Sequence, residues 1–197
     1  MAIPSRLEAV ALLDALDPPE WLVAHSSAVA EIAAFLASRI RARGIDVDRR
    51  IVESAALLHD MDKMLPADHP LKPLGHGDAG ARWLTEQGYE ELSRPVANHP
   101  VTRLSDESRY RRWAAFASRE ERIVAYADKR AGQRLESLDR RFQRWAQRYP
   151  DVARVRPRTD RLEREVCSAA GITADQVRRL PWVSVTRQRV SAEKVEP

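Results

Sequence analysis

His25, the His59-Asp60 pair and Asp128 are the residues of this chain whose types and surroundings could do chemistry. His25 interrupts an apolar series (Leu22, Val29, Ile32, Leu36, Ile40) that recurs at three- and four-residue steps. His59 follows Val52, Ala55 and Ala56 on the inward side of a second series, with Asp60 beside it. Asp128 falls between Val124 and Ala131 on a third. Burying a carboxylate is costly unless it is paired or bound to a metal. One inward histidine is most simply a core residue with a satisfied ring, and one inward aspartate a salt-bridge partner in so arginine-rich a chain. Three helices that each direct a His or Asp into one core suggest instead a shared cation. Imidazole and carboxylate together suit borderline and harder divalent ions, with iron or manganese foremost and magnesium, nickel or cobalt also compatible. Such a mixed set with open positions lowers the pKa of bound water, and two ions about 3.5–4 Å apart can clamp both sides of a phosphate.

The elements that must hold these residues read as helices. Ser5 suits the cap of a first helix, which Asp17-Pro18-Pro19 stops. Pro19 and Glu20 suit the opening of the His25 helix, and Gly44 its end. Asp48 suits the cap of a third helix, running to about His59. Residues 62–77, rich in Pro, Gly and Asp, read as a long loop. Asp78 suits the cap of the next helix, with Ala81, Trp83 and Leu84 inward, and a short helix follows from Ser93 to Asn98. Residues 101–117 are ambiguous. Ser118-Arg119-Glu120-Glu121 has the form of a capping box, opening a helix with Val124, Asp128, Ala131 and Leu135 on one face. Leu138, Phe142 and Trp145 continue helically to Tyr149-Pro150. An arginine-rich linker, a helix from Thr159 to Ala170 and a last short helix from Thr173 to Pro181 complete the reading. Trp182 to Val185 is the one short strand candidate, and the final dozen residues are expected to fray.

Composition agrees with one folded unit or a domain with an appendage: 197 residues, 44% hydrophobic and 31% charged. Seven glycines are too few for the turns of a β-sandwich, and no segment recurs at a fixed period. The single cysteine, Cys167, excludes a disulfide framework or a zinc finger and reads as a small buried apolar residue. The five tryptophans read as core anchors rather than a stacking platform for bases. No uninterrupted run of about 18 apolar residues offers a membrane span. The N-terminus does not read as a secretory signal, so the cytoplasm is the expected location. The net charge is +4, but residues 103–164 carry 18 basic and 10 acidic side chains, leaving the remainder at −4. That basic half could attract phosphates or nucleotides, or could be no more than a set of solvated arginine-rich faces.

The order of His25, then Ala-Leu-Leu-His59-Asp60-Met-Asp-Lys, then Tyr-Ala-Asp128-Lys resembles the HD-domain metal-dependent phosphohydrolase superfamily. His25-Ser-Ser-Ala-Val-Ala, His76-Gly-Asp-Ala-Gly-Ala and Asn98-His99-Pro100 extend the likeness over about residues 20–135. Within the superfamily the chain looks most like bacterial symmetrical dinucleoside tetraphosphate hydrolases. The resemblance implies an all-α HD-domain helical bundle over 1–135 and a basic helical extension over 136–197 with a frayed tail. It implies one or two divalent metal ions as cofactor. His25, His59, Asp60 and Asp128 would hold the first, with His76 and His99 at a second and Asp60 bridging. Asp60 and Lys63 would be catalytic, with Lys63, Lys129, Arg130 and Arg134 candidates for substrate binding. Asp62 or Asp78 could assist proton transfer or only order the loop, while His69 and Cys167 match no site position.

The implied activity is hydrolysis of a nucleotide or other small phosphate ester by a metal-bound hydroxide, a dinucleoside polyphosphate being one candidate. The alternatives are a nucleoside monophosphate phosphatase or a non-catalytic module that binds nucleotide or nucleic acid. The expected partner is a small phosphorylated substrate, nucleotide in class, rather than membrane or nucleic acid, and a homodimer is left open. Two departures narrow the group. The chain has no Gly-Tyr-Pro element of cyclic-di-GMP phosphodiesterases and no Glu-Asp pair of alarmone hydrolases. The extension could pack on the core, shape substrate entry or make a dimer.

Overall fold

Capping chemistry marks out the first elements. Ser5 and Glu8 form a reciprocal capping box at the start of α1 (Arg6–Asp14). Pro19 precedes α2 (Glu20–Ala42), whose first turn carries Glu20 and whose last turn carries Arg39 and Arg41, matching the helix dipole. The Asp48 carboxylate accepts from two backbone amides at the start of α3 (Arg49–Leu58). The computed structural model describes residues 3–180 and 182–193, and among these it is all-helical. The remaining α-helices are α4 (Asp78–Glu86), α5 (Ser93–Asn98), α6 (Glu107–Phe116), α7 (Arg119–Arg130), α8 (Leu138–Ala146), α9 (Val152–Ala170) and α10 (Trp182–Glu193).

α2 is the axis of the bundle. It packs on α3, α7, α9 and α10, and its Ala28, Val29, Ile32, Ala33 and Leu36 are wholly buried. By length and composition α2 could cross a membrane, although its sequence holds no uninterrupted apolar run; 67% of its apolar window is buried under other helices. α5 crosses α7 and α3, which brings the end of α5 to the end of α3. α9 packs on α2 and α7, and α10 packs on α1. The extension therefore lies against the core.

The structure corrects the sequence reading in several places. The 62–77 segment is not irregular throughout, since it contains 3-10 turns at Met61–Met64 and Lys72–Leu74. Asp78 is the first residue of α4 rather than its cap, which is Gly77. The ambiguous 101–117 stretch resolves into a 3-10 turn and α6. α7 ends at Arg130, and Ala131 turns to extended backbone, so Leu135 is off its face. The arginine-rich linker is helical. α9 begins at Val152 and carries Pro157 inside it. A proline there removes one backbone bond and costs about 3 kcal/mol in an interior position. Buried Val152, Val155, Thr159 and Leu162 supply the packing that offsets it. The Thr173 capping box opens only a 3-10 turn, Ala174–Gln176. Trp182 to Val185 is helix, not strand, and the helix persists to Glu193, where fraying was expected. The expected stop at Pro181 and the tail from Lys194 lie outside the described residues.

Candidate metal centre

Four imidazoles meet two carboxylates where α2, α3, α5 and α7 converge. His25 comes from the second turn of α2, His59 and Asp60 from the end of α3, His99 from the end of α5 and Asp128 from the last turn of α7. His76 arrives from the loop before α4. All but His76 are buried.

Each ring is held by its Nδ1. His25 Nδ1 lies 2.7 Å from the Gly132 carbonyl, His59 Nδ1 2.8 Å from that of Ala56 and His99 Nδ1 2.6 Å from that of Val96. His76 Nδ1 lies 3.0 Å from an Asp62 carboxylate oxygen. An acceptor at Nδ1 assigns the proton there and leaves a lone pair on Nε2. The four Nε2 atoms then turn toward one another. His25 and His59 Nε2 are 3.1 Å apart, and those of His76 and His99 are 3.2 Å apart.

Asp60 divides these rings into two sets. Its Oδ2 lies 3.4 Å from His25 Nε2 and 3.5 Å from His59 Nε2. Its Oδ1 lies 3.3 Å from His76 Nε2 and 3.4 Å from His99 Nε2. Asp128 Oδ1 joins the first set, 3.3 Å from His25 and 3.8 Å from His59. Ligand atoms about 2.1 Å from a shared ion lie roughly 3.0–3.4 Å apart at octahedral or tetrahedral angles. Six of the eight separations fall within that edge length and the two carboxylate distances to His59 run longer, at 3.5 and 3.8 Å, so the donor set fits a divalent ion. Among the described residues, three overlapping groups bring their ligand atoms within 4.8 Å of one another: His25, His59 and Asp128; His59, Asp60 and His99; and Asp60, Asp62 and His76.

The protonation states agree. Burial opposes ionisation of Asp60 and Asp128, but the surrounding rings override it, helped by Lys63 beside Asp60 and Lys129 beside Asp128. Both carboxyls stay well below their ordinary range. Burial drives His59 down to about 3 and lowers His99, keeping both rings neutral. Burial also pushes His25 down, yet Asp128 and Asp60 outweigh it and its pKa ends above the ordinary value. Ionised carboxylates with largely neutral imidazoles are the charge state a metal needs.

The cluster opens into a cavity of about 840 Å³. Lys63 and Arg134 line it, as the sequence suggested. Lys63 Nζ bonds to Asp60 and lies 5.9 Å from the centre of the Trp21 ring. Lys129 and Arg130 do not reach it, against expectation. Helical phase turns Lys129 into the core, where its Nζ donates to the carbonyls of His99 and Ala125. Arg130 points to the opposite side, bonded to Tyr126, Glu163 and the Ala174 carbonyl. Asp62 serves as the anchor for His76 and also accepts from the Gly77 amide at 3.0 Å. Asp78 is held by Arg103 and Arg109 away from the cavity lining. The His69 ring accepts from the Leu71 amide, and Cys167 is buried against Tyr126 with its thiol pushed up by burial.

Sequence reasoning missed the far wall. Arg140, Arg141, Arg144, Arg148 and Arg179 line the cavity with Trp145 and Tyr149. Trp21 is no core anchor, being 46% exposed at the rim. The local signal available was the run of arginines at helical spacing after Ser137.

A helical bundle that directs His and Asp ligands inward from separate helices defines a metal-binding, hydrolase-like class. The profile of the HD domain family matches residues 22–132, over half of the sequence, and the chain belongs to that family. HD domains are generally metal-dependent hydrolases. No match was found among curated proteins or among solved structures.

Proposed function

We propose that the protein is a cytoplasmic phosphohydrolase acting on a nucleotide, with dinucleoside polyphosphates the leading candidates. The leading reason for that substrate is the likeness of the His25, His59-Asp60, His76 and Ala-Asp128-Lys segments to symmetrical dinucleoside tetraphosphate hydrolases. His25, His59, Asp60 and Asp128 would hold one divalent ion, and Asp60, His76 and His99 a second, with iron or manganese preferred. Such an ion, when bound, supplies Lewis acidity toward water and phosphoryl oxygens. The observation that carries the reading is the turning of four Nε2 lone pairs toward the two oxygens of Asp60.

The chain's own groups complete the site. Lys63 Nζ, at the mouth, offsets charge on the phosphoryl group and can donate a proton to the leaving oxygen. Arg134 binds a more distant phosphate. Asp62 holds the His76 ring so that its Nε2 keeps its aim.

Metal analysis of freshly purified protein, followed by a phosphatase panel under reducing conditions, tests this. Bound iron or manganese with nucleotide hydrolysis is expected. Undiminished hydrolysis in a pure Asp60→Ala protein would overturn it.

A further inference from the structure

The cavity wall facing the metal cluster is built by residues beyond the family match, which ends at residue 132. α8 and the turn after it supply Arg140, Arg141, Arg144 and Arg148. The lining holds seven basic and three acidic side chains. Two of those acids, Asp60 and Asp128, belong to the cluster, and the third, Glu136, is already paired with Arg144. The guanidinium groups of Arg140 and Arg148 have no hydrogen bond or ion pair among the described residues. On α9, by contrast, Arg156, Arg158 and Arg161 are all tied to acids.

The row begins at the cluster. Arg141 Nη2 lies 3.7 Å from Asp128 Oδ1, its guanidinium lies 4.5 Å from the Trp145 ring centre, and its buried Nε has no partner. Arg141 and Arg144 are spaced i, i+3 on one face of α8, and Arg148 follows in the turn after its end. At 1.5 Å rise per residue Arg141 and Arg144 lie about 4.5 Å apart along the axis, and Arg148 extends the row past the end of α8. That row is longer than one phosphoryl group requires, and guanidinium is the side chain best suited to grip successive phosphates in pairs of hydrogen bonds.

The geometry points to a phosphate-binding arm along α8, and we propose that it selects substrates with two or more linked phosphoryl groups. The phosphoryl group to be attacked lies at the cluster and the others lie along Arg141, Arg144, Arg140 and Arg148. For the bond that breaks, this rests on the hydrolase reading above. Water's oxygen bonds to phosphorus, the bridging P–O bond breaks, and water's proton goes to the leaving oxygen or to solvent. For binding it rests on the arginines alone.

The test compares full-length, metal-loaded wild type with an Arg140→Ala/Arg148→Ala double variant. Calorimetry measures affinity for methylenediphosphonate, a non-hydrolysable diphosphate, against orthophosphate. Wild type should prefer the diphosphonate by at least tenfold. The variant should lose most of that preference and show a shallower salt dependence, with metal content and thermal midpoint unchanged. An unchanged preference overturns the arm. If the double alanine variant folds poorly, Arg140→Lys/Arg148→Lys replaces it. Keeping charge but losing the paired hydrogen bonds, it should give an intermediate preference, and a wild-type value again overturns the arm. Competition by inorganic tripolyphosphate and by ATP distinguishes an inorganic chain from a nucleotide. Turnover of p-nitrophenyl phosphate separates the two readings. Hydrolysis with an arginine-independent preference defeats the arm and leaves the hydrolase. An arginine-dependent preference with no turnover of any ester defeats the hydrolase and leaves the arm.

Discussion

Asp62 offers a way to empty one half of the cluster while sparing the other. Its carboxylate accepts from His76 Nδ1 and from the buried Gly77 amide, each at 3.0 Å, and touches neither His25, His59 nor Asp128. Asp62→Ala removes the ring's anchor and leaves the Gly77 N–H unpaired. An unpaired buried amide costs about 1–3 kcal/mol of stability. Loss of a ligand's supporting hydrogen bond weakens metal affinity by roughly 10–100-fold, which is about 1.4–2.7 kcal/mol. That loss should fall on the ion held by Asp60, His76 and His99. Dialysis against graded free manganese with elemental analysis should show one ion retained and the other released at lower occupancy. Asp62→Asn, whose amide oxygen still accepts both bonds, should lie between wild type and Asp62→Ala. Parallel loss of both ions, or loss of neither, would refute the division of the cluster at Asp60.

Other outcomes follow from the same geometry. Gly77 has φ of +86°, and an added Cβ would meet Pro100 Cγ at 2.9 Å and the Ala97 carbonyl at 3.0 Å. Gly77→Ala should therefore cost about 1–3 kcal/mol in denaturant unfolding and displace His76. Lys129→Met should lower stability by about 1–3 kcal/mol in the same assay, because the His99 carbonyl loses its buried donor. Burial alone would raise the Asp78 pKa, but Arg109 and Arg103 override it and hold it below the ordinary value. Such a group stabilises the fold above the ordinary carboxylate value of about 4 and loses that contribution as pH falls through its lower folded value. Asp78→Asn should thus be destabilised at neutral pH, and urea curves of variant and wild type should converge on acidification. Chelator dialysis should lower the thermal midpoint, and manganese should restore it in a concentration-dependent way.

Three of the candidate ligands were legible because helical phase marks them. A histidine or aspartate at an apolar position of a 3.6-residue period must point inward, whatever the neighbouring helices do. That was enough for His25, His59 and Asp128, and the family resemblance added His76 and His99 at loop and helix-end positions that periodicity does not mark. The same phase turns Lys129 about 100° away from Asp128, and there its Nζ finds the buried His99 and Ala125 carbonyls instead of the cavity. The arginine wall was hidden because exposed arginines carry no apolar period, and only tertiary packing turns α8 toward the cluster. The arginine-rich stretch before Thr159 is helix rather than linker because buried Val152 and Val155 outweigh the backbone bond that Pro157 removes. Trp182 to Val185 misled because a four-residue stretch with three apolar residues is ambiguous between helix and strand, and the longer helical frame decided.

The packing of α9 against α2 has a consequence for synthesis. α2 is complete at Ala42, whereas the residues that roof it begin at Val152. At ordinary rates of roughly 5–20 residues per second, the ribosome needs several to some twenty seconds to cross that gap. Throughout that interval the flank of this 23-residue, largely apolar helix that α9 will cover is bare. A nascent chain stalled or cleaved in the interval would present to bilayers and chaperones a surface that the finished molecule never shows.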